Sequence, residues 1–79
     1  MRESVGQRFR RLRKARGLSQ RDVAQWLKLG MGAIASFEHD LRWRHSKRLY
    51  RLERYWAFAD CRAMLIGGDR RKARFPKAA

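Results

Sequence analysis

Arginine dominates the chemistry available to this chain. A guanidinium forks two hydrogen bonds onto a phosphate or a guanine edge and keeps its charge at any physiological pH. Arg8, Arg10, Arg11 and Lys14 crowd one segment, and Arg48, Arg51 and Arg54 recur every third residue in another. Lys plus Arg number 21 against seven acids, a net charge of +14 at pH 7. A charge this lopsided self-repels unless a polyanion neutralises it. Nucleic acid is the first candidate, and an anionic membrane surface is the main rival. Other chemistry is thin. Cys61 is the one cysteine and makes neither a disulfide framework nor a zinc set. His39 and His45 are too far apart for a helical metal pair. Glycine-rich phosphate loops and nucleophile elbows are absent, so no catalytic residue, metal or cofactor is expected, and the chain is not expected to be an enzyme.

The elements that position these cations can be read from the apolar spacing. Val5, Phe9, Leu12 and Ala15 recur at four, three and three, one face of a first helix. Ser4 with Gln7 forms a capping-box pattern before it, and Gly17 is placed to end it in the left-handed conformation. Leu18 follows as an apolar plug. Ser19, with Asp22 three residues on, starts a second helix that runs to about Leu27 or Lys28. Val23 and Leu27 share one face of it, Leu29 sits in a turn, and Ile34 and Phe37 share a face of a third helix ending near Glu38 or His39. Small Ala24 lets the two helices approach closely. That is the layout of a helix-turn-helix, whose second helix can lie in a DNA major groove. Gly30 and Gly32 bracket the start of the third helix at about 1 kcal/mol each if both are helical. Such a cost suggests either a backbone that must come close to something or a short helix.

Residues 40–45 read as a loop, with Trp43 pinning it to the core. Ser46 is the N-cap of a fourth helix whose apolar face is Leu49, Leu52, Tyr55 or Trp56, and Ala59. Cys61 to Ile66 alternates loosely before Gly67-Gly68-Asp69 breaks the pattern, and reads as a short strand or extended arm. The expected division is a helix-turn-helix domain at 1–60, a dimerisation strand or arm at 61–69, and a flexible basic tail at 70–79. A chain of 79 residues is one domain at most and buries a modest core, so dimerisation would help it. No stretch approaches the roughly 20 apolar residues that span a bilayer. Met1 to Arg8 lacks the apolar run of a signal peptide, so a cytoplasmic location is expected.

With these residues in view, the chain resembles the lambda-repressor-like Xre/Cro family of helix-turn-helix regulators, from about Gly6 to Phe58. The strongest segment is Leu12-Arg13-Lys14-Ala15-Arg16-Gly17-Leu18-Ser19-Gln20-Arg21-Asp22-Val23-Ala24. It is similar to the family's Leu-Arg, then Arg-Gly-Leu-Ser-Gln, then an apolar residue and Ala. Ile34-Ala35-Ser36-Phe37-Glu38 is similar to the family's Ile-Ser-x-apolar-Glu, and the two pieces sit at the family's spacing. The resemblance implies an all-α fold of four to five helices with a short C-terminal strand or arm. It implies that Gln20 clamps a phosphate and that Arg13 pairs with Glu38. It places Gly30, Met31, Gly32, Ala35, Ser36 and His39 on groove-facing positions.

The sequence also departs from that pattern. Groove-facing positions that usually hold Gln, Arg, Asn, Lys or Thr here leave only Ser36 and His39 to hydrogen-bond a base edge, while Met31 and Ala35 can touch a thymine methyl. Lys28 stands where the turn usually has Gly, and the usual Gly and Pro after Glu38 are missing. Small side chains would let the third helix sink deeper, leaving its backbone amides and flanking Arg21, Arg42 and Arg44 to supply phosphate or guanine contacts. DNA shape would carry part of the specificity. Val23, Leu27, Ile34 and Phe37 read as core, and Cys61 as a small buried hydrophobe. Trp26 is expected to be exposed as a protein contact. Trp56 and Phe58, with Met64, Leu65 and Ile66, read as a dimer interface; the alternative is an arm folded back on its own domain.

The expected function is a dimeric, sequence-specific double-stranded DNA-binding regulator on a pseudo-palindromic operator. It would repress by occlusion in a phage, plasmid or toxin–antitoxin operon. The alternatives are an inhibitor or antitoxin-type adaptor gripping an acidic protein partner, and a non-specific nucleic-acid-binding protein.

Overall fold

A computed structural model describes residues 3–41, 46–66 and 74–76, with the backbone alone for 46 and 63–66. The described chain is all-α, with helices α1 (Val5–Ala15), α2 (Gln20–Leu27), α3 (Met31–Glu38) and α4 (Ser46–Ile66). The boundaries of α1 and the start of α2 follow from local chemistry. The Ser4 hydroxyl accepts from the Gln7 backbone N–H at 3.1 Å, and the Gln7 side chain accepts from the Ser4 N–H at 3.1 Å. Ser19 and Asp22 repeat this reciprocal cap on α2. Gly17, at φ +67°, closes α1. The Leu18 N–H bonds Arg13 O and the Gly17 N–H bonds Lys14 O, the paired hydrogen bonds of a Schellman end.

Two further helix ends use a left-handed residue that is not glycine. Lys28 (φ 57°) ends α2, with the Leu29 N–H returning to Ala24 O at 2.9 Å. Asp40 (φ 63°) follows α3, with the Leu41 N–H returning to Ser36 O at 2.9 Å. A lysine in this conformation costs on the order of 1 kcal/mol, whereas aspartate tolerates it better.

The four helices enclose Phe9, Leu12, Leu18, Val23, Leu27, Ile34, Phe37, Leu49, Leu52 and Trp56. The Phe9 ring sits at their meeting point, 5.2 Å edge-on from Phe37 and 4.9 Å from Trp56. Ion pairs bind α1 to its neighbours around this core. Arg8 pairs with Glu53, Arg13 with Glu38, and Arg16 with Asp60. Arg16 is 1% exposed; its guanidinium also donates to Leu12 O and Trp56 O and lies over the Trp56 ring.

Several expectations change here. Trp56 is 0% exposed inside its own core, so it is not a dimer surface. Residues 61–66 continue α4 as helix rather than forming a strand or arm, because nothing before Gly67 breaks the chain and helical bonding continues from the Leu49–Trp56 face. Cys61 is exposed rather than buried. α4 begins at Ser46 itself, one position earlier than a Ser46 cap would give. The tail does not stand wholly apart: Phe75 stacks on Trp26 at 4.7 Å, and the Trp56 indole N–H donates to Arg74 O. Trp26 is 41% exposed, but its face is covered by this chain's own Phe75 rather than by a partner. Trp43, Arg42 and Arg44 lie outside the described residues, as do the side chains of Met64, Leu65 and Ile66.

Candidate nucleic-acid interface

α2 and α3 cross at the turn Lys28–Gly30, buried on each other through Val23, Ala24, Leu27, Ala33, Ile34 and Phe37. That packing fixes which side of α3 faces out. Met31 and Gly32 are exposed at its start, Ala35 and Ser36 are half-buried, and His39 is exposed at its end. The five therefore line one outward strip. Gly30 caps α3 without a side-chain hydrogen bond to its first turn. The Ala33 N–H returns to Gly30 O at 3.1 Å, and the leading amides of α3 receive no side-chain cap at a helix N-terminus, where the dipole favours an anion.

The two glycines of this strip have no internal reason to be glycine. A Cβ added at Gly30 or Gly32 would meet nothing within 4 Å. Neither has a left-handed φ; Gly30 lies at φ −74°, ψ 153°. Gly6 is the contrast. A Cβ there would lie 2.4 Å from Phe37 O and 2.7 Å from Glu38 O, so α1 can cross the end of α3 only with glycine at the crossing.

The far end of α3 is held by a buried polar cluster. Arg13 forks onto Glu38 through Nε at 2.8 Å and Nη2 at 3.2 Å, and its Nη1 donates to Leu18 O at 2.7 Å. The Gln20 amide donates to Glu38 Oε1 at 3.2 Å. Glu38 thus ties α1, the start of α2 and the end of α3 into one unit, and Gln20 is oriented at the α2 N-terminus by the same carboxylate. Asp40 closes the other side. It accepts from the Ser4 hydroxyl at 2.6 Å and from the Gly6 N–H at 2.9 Å, which hold its carboxyl below the ordinary value of 3.8. An open groove of about 610 Å³ runs along this junction, lined by Gln7, Arg10, Arg13, Gln20, Glu38, His39 and Asp40.

Arg21 on α2 and Lys28 at its C-cap are exposed and make no ion pair among the described residues. Arg10 is also exposed and borders the groove beside His39. Sequence reasoning left Arg10, Gly6 and Asp40 out of the site. A glycine in the first turn of an amphipathic helix was the available signal for Gly6. Nothing local could reveal that Asp40 caps a helix 34 residues earlier in the chain. Phe58 is 64% exposed, on α4. No group of three or more His, Cys, Asp or Glu among the described residues could hold a metal ion. No described helix is long and apolar enough to cross a membrane.

Comparison with known protein families, with curated proteins and with solved structures finds no match for this chain.

Proposed function

We propose that this protein binds double-stranded DNA by laying α3 in the major groove, and that it acts as a transcriptional regulator. The observation that carries the reading is the pair of glycines at the exposed start of α3. The fold does not need them, yet they leave the backbone bare on the strip that also presents Met31, Ala35, Ser36 and His39. A smooth, amide-rich helix start lets the backbone approach a phosphate or base edge that a side chain would hold off. Ser36 and His39 supply the side-chain hydrogen bonds, Met31 and Ala35 the apolar contacts to thymine methyls. Gln20, Arg21 and Lys28 flank the strip as phosphate contacts. The likeness to the Xre/Cro regulators supports the same assignment.

A homodimer on a pseudo-palindrome belongs to this reading, with α3 helices about 34 Å apart. Trp56 is buried and takes no part in its interface. Repression by occlusion is the simplest mode, since it needs only the bound duplex. Selection of bound duplexes from a random library at about 150 mM salt tests the proposal. It predicts an enriched, two-fold-symmetric site whose affinity falls about 10³- to 10⁵-fold between 50 and 200 mM salt, as for 6–10 phosphate contacts. Salt-sensitive binding with no enriched site would remove sequence-specific regulation and leave a non-specific binder. Loss of DNA binding on capture of a stoichiometric acidic protein would favour the adaptor reading.

A further inference from the structure

The carboxylates of the described chain are all committed. Glu3 binds Arg11, Glu38 binds Arg13, Glu53 binds Arg8 and Asp60 binds Arg16, while Asp22 and Asp40 cap helices. Of these four neutralised arginines, three lie in α1 and Arg16 is its C-cap. The outward face of α4 receives none of this neutralisation. Lys47, Arg51, Arg54 and Arg62 are exposed there and make no ion pair among the described residues.

Two aromatic rings lie among those cations. Tyr50 is 46% exposed and Phe58 64% exposed. At 3.6 residues per turn, positions 47, 50, 51, 54, 58 and 62 fall within about 120° of one another and run about 22 Å along the axis. Glu53 and Asp60 point inward from the opposite side, at 3% and 9% exposure. Lys47, Tyr50, Arg51 and Arg54 also line an open groove of about 370 Å³. Tyr50 stands edge-on to Phe37 at 5.0 Å, which fixes one ring against the core, and Arg62 lies 5.9 Å from the Phe58 ring centre.

We propose that this face of α4 binds single-stranded nucleic acid, its arginines and Lys47 tracking the phosphates while Tyr50 and Phe58 stack on bases. The rings are about 12 Å apart along the axis, a spacing for non-adjacent bases. Base stacking on aromatic rings beside a cationic track is sequence-tolerant, and it covers apolar surface that is otherwise left in water. A duplex offers this face phosphates only, because its base faces are already stacked. A second copy of the chain would set the same cations against themselves with no carboxylate between them, which is repulsive. Insertion into a lipid interface would require an apolar helix face, and that of α4 (Leu49, Leu52, Trp56) is inside the core. This inference is independent of the α3 reading and adds a second site to it.

The test is fluorescence anisotropy on the full chain with labelled oligo-dT, oligo-U and a mixed-sequence duplex of equal length at about 150 mM salt. Single strands are expected to bind, with Phe58→Ala weakening them about 5- to 150-fold. Arg51→Gln with Arg54→Gln should weaken them and lower the slope of log affinity against log salt by about 0.7 for each phosphate lost. Both variants should keep the parental melting temperature and duplex affinity, while Gly32→Ala on α3 should weaken duplex binding and leave single-strand binding unchanged. The oligo-dT and oligo-U arms distinguish a DNA from an RNA ligand. Unchanged single-strand binding in Phe58→Ala, or arginine variants that weaken duplex and single strands equally, would overturn the proposal in favour of a plain electrostatic surface. Binding to vesicles rich in anionic lipid, with no affinity for either oligonucleotide, would overturn it as well.

Discussion

Replacing Gly32 by alanine should stabilise the protein and weaken its hold on DNA. Gly32 lies inside the first turn of α3 with no left-handed φ, and an added Cβ meets nothing within 4 Å. The gain is therefore the ordinary helix-interior difference, roughly 0.5–1 kcal/mol. For a domain of this size that is a rise of roughly 2–8 °C in melting temperature. If α3 lies in the groove, the same methyl enters the contact and forces the helix outward. Overpacking a close-fitted contact costs about 1–3 kcal/mol, or roughly 5- to 150-fold in affinity. Gly17→Ala is the control, since its Cβ also meets nothing but its φ is +67°. That variant should destabilise, by about 1 kcal/mol, and leave DNA affinity unchanged under folded conditions. Melting by circular dichroism and duplex titration read the two effects separately. A Gly32→Ala protein that is more stable and binds its selected duplex as tightly as the parent would refute the assignment of this strip to a close contact.

Other perturbations test the framework that holds α3. Arg13→Ala should cost about 3–5 kcal/mol in urea unfolding because Glu38 is left buried and charged, whereas Arg13→Met with Glu38→Leu should cost far less; equal losses would show that the pair's charge is unimportant. Gly6→Ala should destabilise by about 1–3 kcal/mol or more, since its methyl would overlap backbone carbonyls that cannot move aside; a neutral result would mean α1 and α3 cross differently. The Asp40 carboxyl lies below its ordinary 3.8 because the Ser4 hydroxyl, then the Gly6 N–H, bond its charged form; the Ser19 N–H, then its hydroxyl, do the same for Asp22. A native pKa below the unfolded one gives stability that is full above 3.8 and lost as pH falls through the lower native value. Melting temperature should therefore drop below about pH 4, and Asp40→Asn should flatten that drop while lowering stability near pH 7; an unchanged acid slope would count against the cap.

The sequence made the framework of this fold legible where signals are local. The capping pairs Ser4/Gln7 and Ser19/Asp22, the Gly17 stop and the apolar spacings of α1 to α3 all act within a few residues, and each has its counterpart in the structure. The Arg13–Glu38 pair came from a family resemblance rather than from spacing. What the sequence could not show is long-range. Arg16 looks like any surface arginine until Asp60, 44 residues on, reaches it beneath Trp56. Phe75 falls in a basic stretch whose composition suggested a solvated tail, and only the nearby Trp26 ring gives it a place. Trp56 was ambiguous because a helix with aromatics on more than one face does not declare which of them its own core can hold. Of the candidate strip, the residue types were readable, but the emptiness around Gly30 and Gly32 is a property of the folded surface.

The central claim is that α3 is the element in contact with DNA. The most direct measurement is the shift of backbone amide resonances when an enriched duplex is added to ¹⁵N-labelled protein. The account predicts the largest changes at Gly30, Met31, Gly32, Ala35, Ser36 and His39, with smaller ones at Gln20 and Arg21. Changes confined to α4, with the α3 amides unmoved at saturation, would contradict it.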